Sequence, residues 1–206
     1  MPPRDRTRRR VEPTQERALA SVDAILEAAE RSLRERGFAR TNTNQIAAVA
    51  GVNVSLVYRY FAGKEAIVGA LIERGAQRTY DAASEVIRTH EGEPMRVVLP
   101  ALIEAFVDTP GLDAELHREL VEHVDISARR PVLHELRVRL GVLFRNLLRA
   151  HAAELRPDAD LEALSFVLQH ALEAATHAVA FYRPRSLSRR RALAALCELV
   201  ERALLR

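Results

Sequence analysis

The sequence predicts an all-α protein, on three observations. Only 8 glycines and 9 prolines occur in 206 residues. They cluster at segment edges, and between them the apolar residues recur at helical three-and-four spacing rather than alternating. No repeat of fixed period is present, and the one biased segment is the arm over residues 1–13. With 48% hydrophobic and 29% charged residues, the chain can bury a sizeable core as one domain or two small ones, which excludes a disordered chain.

The elements follow in order. From Thr14, a fitting N-cap, Leu19, Val22, Leu26, Ala29 and Leu33 trace one face of a first helix, and Gly37 supplies a left-handed stop. The stretch from Thr43 to Phe61 then reads as a helix-turn-helix. Thr43 can cap a short helix whose Ile46 and Ala50 face inward, while the small Ala47 lets a second helix approach closely. Gly51 can end the first helix in the left-handed conformation, Asn53 can cap the second, and Val52, Val57 and Tyr60 complete the shared core. Val54, Ser55, Arg59 and the hydroxyl of Tyr58 are left on a face that could enter a major groove. A helical hairpin inside a core would carry the same alanine–glycine spacing, so the pattern by itself leaves both readings open.

A longer helix is expected from Lys64 through Ile67, Leu71, Ile72 and Ala76. Further helices are expected over Met95–Val107, Leu112–Asp125, Pro131–Leu155, Leu161–Tyr182 and Ser188–Leu205. Breaks fall at Pro94, Pro110-Gly111, Pro131, Pro157 and Pro184, although Pro131 also suits a helix's first turn. The segment from Leu161 carries two apolar stripes. One holds Leu161, Leu164, Leu168, Leu172, Ala175 and Val179, and the other Val167, Ala171, Ala174, Ala178 and Phe181. The final segment likewise sets Leu193, Leu196, Val200 and Leu204 beside Ala192, Ala195, Leu199 and Ala203. Two broad faces on each helix can serve an internal core and a homodimer interface, with a larger monomeric bundle as the other solution.

The net charge of +3 is unevenly spread. Up to Arg74 there are 13 basic and 9 acidic residues, against 18 and 19 in the remainder, and Arg4, Arg6, Arg8, Arg9 and Arg10 face only Asp5. A basic end on a neutral body suits a polyanionic partner, because Lys and Arg that neutralise phosphates release counterions. A solvated disordered arm is the plainer reading. A single cysteine, Cys197, excludes an internal disulfide and any zinc site built on several thiolates. No stretch approaches the ~18 uncharged apolar residues that span a bilayer, and the Arg-rich start lacks a secretory apolar segment, so a cytoplasmic protein without a membrane partner is expected.

Tyr58-Arg59-Tyr60-Phe61-Ala62-Gly63-Lys64-Glu65, preceded by Thr43, Ile46, Ala47, Ala50, Gly51 and Val52 at fixed offsets, closely resembles the signature of the TetR family of transcriptional regulators. The resemblance spans roughly residues 18–78. It implies an N-terminal three-helix DNA-binding domain (14–78, after the arm 1–13) and a helical effector-binding and dimerisation domain (79–206). Carried over by motif position, Thr43 and Tyr58 would hydrogen-bond phosphates, and Lys64, the single lysine beside thirty arginines, would meet one from the start of the fourth helix, whose positive dipole end also favours an anion. Asn44, Val54, Ser55 and Arg59 would face base edges, since Asn can pair with adenine and Arg with guanine. Asn53 and Tyr60 complete the expected DNA-binding set. The expected partners are a palindromic double-stranded operator, a second copy of the chain through the last two helices, and an unidentified small-molecule effector that releases a repressor.

The effector domain is less legible. Phe106, His123, Phe144, Phe166, His170 and His177 are candidates to line an apolar pocket with few polar anchors. His170, Glu173 and His177 share a rough face, but histidines seven apart stand nearly two turns apart, too far for one ion without a partner helix. No metal or other cofactor is therefore expected. Cys197, among apolar neighbours, suits buried packing. A helical metalloenzyme and an architectural DNA binder without effector are the rival classes. The absence of a nucleophile elbow, phosphate loop, HExxH or dinucleotide fingerprint argues against an enzyme.

Overall fold

A computed structural model describes residues 16–108 and 130–206, and among them the chain is helical with no strand. The basic arm, Thr14, His123 and the expected helix over Leu112–Asp125 lie outside the described residues. Contacts sort the described chain into a first unit of residues 16–75 and 130–133 and a second holding residues 76–108 and 134–206.

In the first unit, α1 (Glu16–Arg40) buries Val22, Ile25, Leu26, Ala29 and Leu33 at three-and-four spacing. Leu19, expected on the same face, is 49% exposed. Gly37 breaks the regular helix at φ 76°, ψ 169°, extended rather than left-handed helical in ψ, and a further turn runs to Arg40. The hydroxyl of Thr41 closes this end, 2.8 Å from Gly37 O and 3.1 Å from Ser32 O. Next come α2 (Thr43–Ala50) and α3 (Val54–Tyr60), whose Ile46, Ala47, Val57 and Tyr60 meet α1 around the fully buried Phe61. Removing these side chains from water is the main stabilising term, ~1.5–3 kcal/mol for each large aliphatic or aromatic residue. The long α4 (Lys64–Thr89) then adds Ile67, Val68 and Leu71 to this core.

The second unit is built from the end of α4 with α5 (Met95–Asp108), α6 (Arg130–Ala150) from His134 onward, α7 (Leu161–Phe181) and α8 (Arg189–Leu204). Its core is Met95, Val98, Leu99, Leu102 and Ile103 of α5, Phe144, Leu147 and Leu148 of α6, and Leu168, Leu172, Leu196, Val200 and Leu204 of the last two helices. Asp160 caps α7 by accepting the N–H groups of Glu162 and Ala163, and Ser188 caps α8. Pro131 lies in the first turn of α6, where its missing N–H costs nothing. That helix stops at Ala150 instead of reaching Leu155, because Leu155 turns away to pair antiparallel with Leu205. Glu154 meanwhile accepts the N–H of Met95 at 3.0 Å, capping α5. At the crossing of α6 and α7, buried Gln169 donates to Arg137 O at 2.8 Å. Gly141 permits that approach, since a Cβ there would stand 2.9 Å from the Gln169 Oε1.

Candidate nucleic-acid interface

The helix-turn-helix is set by three backbone devices. Asn42, not Thr43, is the N-cap of α2: its side chain accepts the N–H of Gln45 at 3.0 Å and the Gln45 side chain returns the bond to the N–H of Asn42 at 3.1 Å. This reciprocal box was readable as Asn42-xx-Gln45, one residue before the Thr43 favoured by the motif. Gly51 takes the left-handed conformation, φ 68°, ψ 27°, and its N–H closes on Ala48 O while Val52 N–H closes on Ala47 O. Asn53 then accepts the N–H of Ser55 at 2.9 Å and starts α3.

With α3 so placed, Val57 and Tyr60 point inward at 0% and 4% exposure. Tyr60 is therefore corrected from a DNA-facing residue to a core residue. Outward lie Ser55, Tyr58 at 43% exposure and Arg59, with Val54 half-buried beside them and Asn53 at the helix start. Asn44, in the first turn of α2, is exposed as well. Neither α2 nor α3 contains an acidic residue, so no carboxylate on these helices repels a phosphate. The Arg59 guanidinium stands 5.9 Å from the centroid of the Tyr60 ring, at the outer reach of a cation–π contact.

All three expected phosphate residues are engaged within the protein. Thr43 is buried, and its hydroxyl lies 2.8 Å from the phenol of Tyr58, joining the start of α2 to the outer face of α3. When Thr43 donates in this pair, the Tyr58 O–H stays free to donate to an anion. The Lys64 ammonium donates to Phe38 O at 2.6 Å and sits 3.7 Å above the centroid of the Phe38 ring. No local pattern signals that clamp, because Phe38 and Lys64 are 26 positions apart and the pairing depends on how α1 ends.

The pocket candidates separate. Phe106 and Phe144 come together in the core with ring centroids 6.0 Å apart. Phe166, by contrast, is 64% exposed, and His170, also exposed, stacks on it at 4.4 Å, so both leave the core-facing set. His177 is half-buried against Phe181 and Tyr182, and burial pushes its imidazole below the ordinary value, opposed by the nearby Glu173 carboxylate. Among the described residues, no three His, Cys, Asp or Glu side chains converge as a metal site would require. Burial, with Glu201 and Glu104 nearby, raises the Cys197 thiol, which leaves it a poor thiolate. None of the described helices is long and apolar enough to cross a membrane.

Residues 25–71 match the family model described as bacterial regulatory proteins, tetR family. An HTH-type transcriptional repressor of Mycobacterium tuberculosis is 33% identical over 164 residues, covering 73% of this chain and 86% of that one. Among solved structures, a transcriptional regulator from Saccharomonospora viridis in complex with choline aligns at TM-score 0.68 with 21% identity, over 90% of this chain and 98% of that one. The repressor SmeT of Stenotrophomonas maltophilia aligns at TM-score 0.62 with 22% identity, over 93% of each chain. The buried helix-turn-helix core, the outward Ser55, Tyr58 and Arg59, and these relatives agree, and the chain belongs to the TetR family of DNA-binding transcriptional regulators.

Proposed function

We propose that this regulator is a repressor that binds an inverted-repeat duplex as a homodimer and leaves it when a small, mostly apolar molecule enters the second unit. The observation that carries the DNA reading is the outward face of α3, where Ser55, Tyr58 and Arg59 stand exposed behind the Gly51 turn. Arg59 and Asn44 read base edges, Val54 and Ser55 sit against the groove, and Tyr58, steadied by Thr43, binds phosphate. Lys64 acts from inside, as a strut between α4 and Phe38.

The homodimer reading is supported by a second face. Phe166, Val167 and Leu199 are 64%, 58% and 67% exposed on α7 and α8, with the exposed Ala163, Ala171, Ala174, Ala195 and Ala203 on the same two helices. Leu168 and Leu196 belong instead to the internal core, at 6% and 9% exposure. An apolar stripe of this extent favours a self-complementary contact between two copies. The effector reading is supported by the solved relatives, one crystallised with choline and another, SmeT, with triclosan. In this chain the Phe106–Phe144 pair is the apolar wall nearest to such a role.

Selection from a pool of random duplexes tests the reading. The full chain enriches an inverted repeat with half-sites about one helical turn, ~34–36 Å, apart. A compound that stabilises the chain then lowers duplex affinity, and the duplex lowers compound affinity by the same factor. Enrichment of no sequence, or of a lone half-site bound by a monomer, overturns it.

A further inference from the structure

Where α7 turns into α8, nine residues of the second unit hold five arginines, Arg183, Arg185, Arg189, Arg190 and Arg191. No Asp or Glu lies between Glu173 and Glu198 to offset them. Past Arg74 the chain carries 18 basic and 19 acidic residues, so this charge is a local concentration and not an overall excess. Elsewhere in the unit Arg137 pairs with Glu173 at 2.9 Å and Arg202 with Glu198 at 2.6 Å, while Arg139 donates to Gln77 Oε1 at 3.3 Å and stands 4.0 Å from the centroid of the Tyr80 ring. In the turn, Arg189 meets the Asp108 carboxylate at the end of α5. The side chains of Arg185, Arg190 and Arg191 are exposed and have no hydrogen bond or ion pair among the described residues.

The turn that carries them is closed by its own bonds. The Leu187 N–H reaches Pro184 O at 3.0 Å, the Arg183 guanidinium donates to Leu187 O, and Ser188 accepts the N–H of Arg191 at 3.3 Å. A turn already ordered loses less freedom when a partner binds. Each free guanidinium offers two parallel N–H donors that match phosphate oxygens. Between Tyr182 and Leu199 no large apolar side chain is exposed that could enter a lipid surface. The polyanion that fits such a patch on a DNA-binding regulator is the duplex backbone.

We propose that the α7–α8 turn is a second, sequence-independent DNA contact, in which Arg185, Arg190 and Arg191 neutralise backbone phosphates. Sequence readout stays with α3, and the turn adds affinity and salt dependence. This contact rests on DNA binding alone and not on the repressor, dimer or effector readings.

Salt titrations of duplex binding by the full-length chain test it, on the selected duplex and on a scrambled one. Replacing Arg185, Arg190 and Arg191 together by Ala lowers the slope of log affinity against log salt by about two to three units per chain on both duplexes, ~0.9 for each phosphate no longer neutralised. The urea midpoint stays in place, since the three side chains are exposed. Replacing the same three by Lys keeps the slope, because a point charge also displaces counterions. Arg96, Arg149 and Arg156, exposed in the same unit away from the turn, control for net charge, and their joint replacement by Ala lowers the slope far less. An Ala triple in the turn that leaves the slope unchanged, or a control triple that lowers it equally, overturns the proposal. So does binding to phosphatidylserine vesicles that needs the three arginines while the duplex slope does not. Failure of the α3 reading looks different, because Arg59→Ala then weakens both duplexes alike while the slope on the scrambled duplex still decides the role of the turn. A wild type that binds neither duplex overturns both.

Discussion

Replacing Lys64 by Ala separates a strut from a phosphate contact. The ammonium makes a charge-assisted hydrogen bond to Phe38 O at 2.6 Å and stacks 3.7 Å above the Phe38 ring. Such a bond contributes roughly 1.5–3 kcal/mol and an exposed cation–π contact about 0.5–1. Lys64 is only half-buried, so water recovers part of both, and the expected loss is about 1–2 kcal/mol. For a domain the size of the first unit, that lowers the melting temperature by roughly 4–8 °C per kcal/mol. Urea unfolding of the free protein, followed by circular dichroism, reads the change directly, and Lys64→Met keeps the aliphatic stem so that lost packing is told apart from lost charge. The reasoning is refuted if Lys64→Ala leaves the unfolding midpoint in place while the salt dependence of duplex binding falls by about one unit of slope. That pair of results would put the ammonium on DNA rather than on Phe38.

Three further outcomes are expected. Gly51→Ala destabilises by about 1–2 kcal/mol in urea unfolding, and through the backbone only, because the position needs φ 68° while a Cβ there meets nothing within 4 Å. Leu199→Glu gives a folded monomer in light scattering at micromolar concentration, since that side chain is 67% exposed, whereas Leu196→Glu, at 9%, unfolds the second unit by burying a carboxylate. Burial lowers His177, so the folded state favours the neutral imidazole. The unfolded chain then binds the proton first, and stability falls as pH drops through about 6.5 and below. Urea unfolding at stepped pH should show that loss reduced in His177→Gln.

The sequence carried most of the fold because its elements are punctuated by residues with local chemistry. Pro94, Pro157 and Pro184 lie between helices, and Gly51 and Asn53 each did locally what their side chains predict. The errors came where tertiary contacts decide. Thr43 matched the capping preference, but a reciprocal bond between Asn42 and Gln45 took the cap, which released the Thr43 hydroxyl for Tyr58. The motif sets Tyr60 among the DNA-facing residues, whereas the 3.6-residue period puts it on the core side with Val57, three positions earlier. Among the pocket candidates, Phe166 and His170 lie four apart and so share a face, yet a helix that is apolar nearly all round does not reveal which face turns inward. The Lys64–Phe38 clamp and the Arg139 contacts with Gln77 and Tyr80 join positions 26 to 62 residues apart, and no local pattern announces them.

The most direct test compares Arg59→Ala with Tyr58→Phe on the selected duplex and on a scrambled one, across a range of salt concentrations. If α3 reads the groove as its exposed face implies, Arg59→Ala costs ~1–3 kcal/mol on the selected duplex and largely spares the scrambled one, while Tyr58→Phe weakens both alike. An Arg59→Ala variant that weakens both duplexes equally, or neither, would contradict the account.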